Sequence, residues 1–225
     1  MFQVVFETIF HIFYLSLIIV LGMLMIIRGK QNMYFKLFGY MALILGVGDS
    51  FHLIPRIYAL LTTGLEDHAF SLGFGTFIAS ITMTIFYVIF YEVWKIRFNV
   101  QNTKNLRITI YALGLIRIIL CFFPQNEWFI HDSPVSWAIY RNIPFTIIGL
   151  IIIYLCYKKA LEYQYTPYKH IALAMFLSFL FYLPVAIWAS TYPLIGTLMI
   201  PKSLAYVWIV LIGFQELRSY KKTGV

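Results

Sequence analysis

Residues 35–61 read FKLFGYMALILGVGDSFHLIPRIYALL. At 1.5 Å per residue, such a run makes a helix long enough to cross a hydrocarbon core of ~30 Å. Its second half nevertheless carries Asp49, His52 and Arg56, spaced i, i+3 and i+7, which is one face of a helix. A charged side chain facing lipid at mid-bilayer costs at least ~2.5 kcal/mol. A helix of this kind belongs in a membrane bundle, its polar face turned towards other helices.

Six further apolar runs flank it, at 4–27, 70–94, 106–123, 135–157, 168–190 and 193–214. The whole chain is 61% hydrophobic and 12% charged, with a mean hydropathy of +0.82, whereas soluble domains are roughly 45–50% apolar. At ~20 residues per span, seven spans take up about two thirds of the chain. The pattern predicts an all-α fold: a polytopic integral membrane protein, one domain over residues 1–225, built as a seven-transmembrane-helix bundle with short connections. The first run carries Glu7 where a signal peptide would have basic residues, and is expected to be retained as a helix.

The net charge of +8 would suggest nucleic acid in a soluble protein, but here it follows the connections. Arg28, Lys30 and Lys36 fill the first, Lys95, Arg97, Lys104 and Arg107 the third, Lys158, Lys159 and Lys169 the fifth, and Arg218, Lys221 and Lys222 the tail. The second and fourth carry Glu66, Asp67, Glu127 and Asp132. The positive-inside rule then places the N-terminus outside and the C-terminus in the cytoplasm of a cell whose plasma membrane holds the chain; no nucleic-acid partner is implied. Trp94, Trp128, Trp137 and Trp188 fall near predicted helix ends, where an interfacial aromatic belt would stand. The fourth connection, Pro124 to Pro134, either dips into the interface or covers an outer opening. Cys121 and Cys156 fall on opposite sides, too far apart to bond.

Arg56, Arg117, Arg141 and Lys202 are not absorbed by the basic connections, and with Glu7, His11, Asp49 and His52 they make eight ionisable groups at membrane depth. All eight map to the outer halves of their helices. Glu7 and His11 are i,i+4 and continue to Tyr14, making one row. Lys202 falls about nine residues, or ~14 Å, from the nearer predicted helix end; it needs a partner, and Asp49 is the expected one. Pro55 and Pro201, beside Arg56 and Lys202, are expected to kink their helices, and Gly46 and Gly48 to permit close helix contact. Four cations against two carboxylates leave +2 with both histidines neutral, which calls for an anionic ligand.

These residues predict an outward-facing polar cavity in which Asp49 and His52 act as general acid and base while Arg56, Arg117, Arg141 and Lys202 bind substrate, supported by Glu7 and His11. Membrane lipids, or a small anionic or amphipathic molecule, are the expected partners. The function expected is a lipid-directed hydrolase acting on an anionic lipid; the alternative is a receptor or transporter of such a solute, although a transporter needs polar groups in the inner halves, which are almost wholly apolar beyond Thr82, Thr84 and Cys156. Gly48, Asp49, Ser50, Phe51, His52 and Leu53, followed by Gly73 and Phe77, resemble the YhhN family of lysoplasmalogenase-like membrane hydrolases. That resemblance carries over Asp49 alone, since the family's helix-three His and later Ser-Asp have no counterpart at Ile81 to Thr84 or at Ser178 and Phe179. As a whole the chain resembles small membrane proteins of Gram-positive bacteria. Glu7, His11, Asp49 and His52 also compose a conceivable metal set, which the nearby guanidinium groups oppose, so neither metal nor other cofactor is expected. A lysine midway along a seventh helix resembles microbial rhodopsins, but helix three is uncharged until Glu92 and the turn before Lys202 reads Leu198.

Overall fold

The computed structural model describes residues 2–29, 31–130, 133–189 and 191–222; Lys30 and Asp132, counted among the connection charges, lie outside them. The described residues form seven α-helices: α1 (Phe2–Arg28), α2 (Met33–Leu61), α3 (Ala69–Arg97), α4 (Lys104–Cys121), α5 (Val135–Glu162), α6 (Thr166–Trp188) and α7 (Met199–Lys222). Short 3-10 turns at Glu66–His68, Pro124–Asn126 and Pro193–Leu198 join them. Six helices, some extended by these turns, are long and apolar enough to cross a membrane. The exception is α4, 18 residues long, which carries Lys104, Arg107 and Arg117.

Each helix packs on its neighbours in the chain and α7 closes on α1, so the seven form a ring in sequence order. α3 supplies much of the interior, with Phe86, Tyr87, Phe90, Tyr91 and Val93 fully buried. Its approach to α2 depends on Gly75, where an added Cβ would overlap the backbone of Phe51 and His52. Gly48 faces Thr82 of α3 equally closely, whereas Gly46 rests on Ile18 and Ile19 of α1.

The last helix departs from expectation. Residues 193–198 are a 3-10 turn and α7 runs from Met199 to Lys222, beginning and ending later than the predicted 193–214. Lys202 therefore lies in the first turn of α7 rather than midway along a helix. Pro201 beside it kinks nothing, because a first-turn residue has no intrahelical acceptor for the N–H that proline lacks. At the basic ends the helices also outrun their apolar cores, α3 through Lys95 and Arg97 and α5 through Lys158 and Lys159. A long basic stem can lie along apolar surface there while its charge reaches water.

Two of the four expected belt tryptophans point inward. Trp94 donates Nε1 to the Leu155 carbonyl at 3.3 Å, and Trp128 donates to the Cys121 carbonyl at 2.9 Å. Trp188 remains exposed. Cys121 and Cys156 are buried and unbonded.

Candidate functional site

The cavity of interest lies where α1, α3, α5 and α7 begin and α2, α4 and α6 end. Its volume is about 320 Å³, and its wall includes all eight residues singled out above: Glu7, His11, Asp49, His52, Arg56, Arg117, Arg141 and Lys202. α1 and α2 form one side. Arg56 pairs with Glu7 at 3.1 Å. Tyr14 donates its hydroxyl to Asp49 Oδ2 at 2.6 Å, so the row that begins with Glu7 and His11 meets the polar face of α2. His11 is buried, and its Nδ1 has no partner among the described residues.

His52 is anchored by α3. Its Nδ1 lies 3.3 Å from the Leu72 carbonyl and 3.1 Å from Thr76 Oγ1, while Thr76 donates its own proton to Leu72 at 2.8 Å. The hydroxyl proton being committed, Nδ1–H is the donor to both oxygens, which leaves Nε2 as the basic nitrogen of the ring.

α4, α5 and the loop between them form the cationic side. Arg117 is 1% exposed, with its Cζ 3.5 Å from the centroid of the Phe145 ring. One long bond, 3.5 Å to Asn142 Oδ1, occupies Nη2, and neither Nε nor Nη1 has a hydrogen-bond partner among the described residues. Arg141 donates to Asn126 Oδ1 at 2.9 Å and lies over the Trp128 ring at 4.3 Å. Asn126 is itself fully buried, its amide donating to the carbonyls of Leu120 in the last turn of α4 and of Phe123 just beyond it. The loop is a brace that reaches the cavity through Arg141.

The expected Asp49–Lys202 ion pair is not formed: no pairing within 4.0 Å occurs among the described residues, and Tyr14 takes one Asp49 oxygen. Lys202 Nζ instead stands 5.3 and 5.6 Å from the ring centroids of Tyr182 and Tyr206. Placing Lys202 in the first turn of α7 moves it away from mid-membrane depth and removes the reason to demand a carboxylate. Asp49 and His52, though i,i+3, do not bond to each other. Among the described residues no three His, Cys, Asp or Glu side chains gather as metal ligands, the set of Glu7, His11, Asp49 and His52 included.

Sequence reasoning passed over Asn142 and Tyr182. Asn142 accepts from Arg117 and from the Tyr182 hydroxyl at 2.9 Å, and donates to the Ala138 carbonyl at 2.8 Å. An amide one residue after Arg141 was a usable signal, but only charged groups and histidines entered the inventory.

The helix ends opposite the cavity hold polar groups as well, contrary to the expectation of almost wholly apolar halves there. Glu216 of α7 accepts from the hydroxyls of Tyr34 and Tyr165 and lies 4.0 Å from Arg97. Burial first, and then the bond to Glu216, push the Tyr165 hydroxyl up to about 12. In mid-bundle Tyr87 and Tyr206 share a 3.2 Å hydrogen bond.

Comparisons with protein-family models, with curated proteins and with solved structures returned no match.

Proposed function

We propose that the chain is a seven-span plasma-membrane protein, N-terminus outside, whose outward cavity binds the anionic headgroup of a membrane lipid and hydrolyses that lipid. The observation that carries the reading is Arg117: a buried guanidinium with, among the described residues, no carboxylate paired to it and two nitrogens lacking acceptors, on the wall of a cavity that Arg141 and Lys202 also line. Guanidinium cannot relieve its burial by losing a proton. An anion that accepts from Nε and Nη1 would meet both needs in a charge-assisted, bidentate geometry. On the opposite wall, His52 Nε2 is available as general base to a water attacking an ester of the bound lipid.

Thermal stability of the purified protein tests the binding step. Phosphatidic acid should raise the unfolding midpoint more than diacylglycerol of the same chains, and Arg117→Gln should abolish the difference. Equal shifts from both lipids on the unmodified protein would remove the anion site. Turnover is tested by release of the acyl chain, which His52→Gln should stop while leaving the lipid-induced shift in place.

Binding without turnover, as in a receptor or carrier of a small anionic solute, is the second reading. It is favoured by the separate anchoring of Asp49 and His52, which leaves no preformed acid–base pair, and by the polar cluster at the inner end. Retained lipid-induced stabilisation with no acyl release would select it.

A further inference from the structure

Beside the polar cavity a second hollow of about 250 Å³ runs along the outer surface of the bundle between α5 and α6. Ile139, Ile143 and Ile147 of α5 and Ile187 of α6 line it, and the three α5 isoleucines are exposed on the face that would meet lipid. The two hollows share wall residues: Asn142 and Ala186 border both. Pro144 and Pro184 stand inside α5 and α6, each next in the chain to a residue that lines the hollow, Ile143 or Leu183, and each removes a backbone hydrogen bond from its helix. At the partition, the Asn142 amide is held by Arg117, Tyr182 and the Ala138 carbonyl. Polarity therefore changes sharply across one residue, from guanidinium on one side to isoleucine on the other.

We infer that the groove between α5 and α6 seats the alkyl chain of the molecule whose anionic head the cavity holds, so that the ligand enters sideways from the bilayer. This rests on the anion-binding reading above. An amphipath drawn from the outer leaflet meets the apolar groove at the depth of its chain, and its head passes Asn142 to reach Arg117. A free inorganic anion would have no use for the groove. The continuity of the two walls, with the charge on one side only, favours a chain-bearing ligand over a soluble one.

The test uses the full chain in phosphatidylcholine vesicles containing an alkyl phosphate with a diazirine at the chain end. Photolabelling should concentrate on peptides covering 138–147 and 183–187, and Arg117→Gln should remove that preference. In detergent, Ile143→Trp, and separately Ile187→Trp, should weaken dodecyl phosphate about 10-fold, the loss of roughly two buried methylenes, and leave inorganic phosphate binding unchanged. Label spread evenly over the lipid-facing helices would overturn the groove, as would dodecyl phosphate binding indifferent to both tryptophans, while inorganic phosphate binding that needs Arg117 would keep the anion site standing. If neither phosphate binds the unmodified protein, the anion reading fails and the groove assignment fails with it.

Discussion

Asp49 is a buried carboxylate that meets a hydroxyl rather than a cation among the described residues. Its Oδ2 accepts the Tyr14 hydroxyl at 2.6 Å, and a hydrogen bond to a charged group contributes about 1.5–3 kcal/mol, more than a neutral one. Tyr14→Phe should therefore destabilise the protein by about 1–3 kcal/mol, since it leaves a buried acceptor charge without its donor. Asp49→Asn added to Tyr14→Phe should cost less than the sum of the single changes, because the two residues act as one unit. Unfolding in mixed micelles measures all three variants, and strict additivity would mean that the short contact contributes nothing. Arg117 is the opposite case, a charge whose Nε and Nη1 have no acceptor among the described residues, and that contrast is why the proposed anion site is placed on the cationic wall rather than at Asp49. The sequence revealed which ionisable residues share the wall, because intramembrane charges are few and their helical spacing is readable. It could not reveal which would find partners inside the protein. Tyr14, Asn142 and Asn126 are neutral, and their contribution depends on where three different helices and a loop come to rest.

At the level of elements, helix existence was legible from apolar runs, while helix ends were not where polar chemistry extends a helix beyond its apolar core. Glu216 illustrates this. Ending the last helix at residue 214 hid it among the basic residues of the tail, yet it joins α7 to Tyr34 of α2, Tyr165 before α6 and Arg97 of α3. No periodicity in the sequence marks so remote a junction. Removing the carboxylate with Glu216→Ala leaves two hydroxyls and a guanidinium without their acceptor, and should cost about 1–3 kcal/mol. Arg97→Ala should cost less than about 1 kcal/mol, since its side chain is 37% exposed and its ion pair is long and screened. The two variants compared by thermal unfolding decide whether Glu216 or Arg97 centres the cluster; a larger loss from Arg97→Ala would reverse the assignment.

Across the whole molecule, direction follows from an asymmetry of charge between the two ends of the ring. The end holding the starts of α2, α4 and α6 carries most of the basic residues, Arg28, Lys36, Lys95, Arg97, Lys104, Arg107, Lys159 and Lys169 among them. The cavity end carries Glu66 and Asp67 in the turn before α3. In the proposed topology the positive-inside rule turns the cavity outward. α4 is the helix on which this argument can fail. Its 18 residues rise only ~27 Å, and its three cations make it a poor span by itself. Yet Arg117 near its end lines the same cavity as Arg141 near the start of α5, while its first residues follow Arg97 at the basic end. If the bundle crosses the bilayer, α4 must cross with it, carried by its neighbours rather than by its own hydropathy. Seven crossings put the termini on opposite sides; six would put them on the same side. Cysteines replacing Asp67 and Gln125 should accordingly react with an impermeant maleimide on intact cells, one replacing Gln101 only after permeabilisation, and a reporter fused after Val225 should be active only in the cytoplasm. Labelling of Gln101→Cys on intact cells together with Gln125→Cys would remove α4 as a span. Labelling of Asp67→Cys and Gln125→Cys only after permeabilisation would invert the bundle and turn the cavity, with its arginines, towards the inner leaflet.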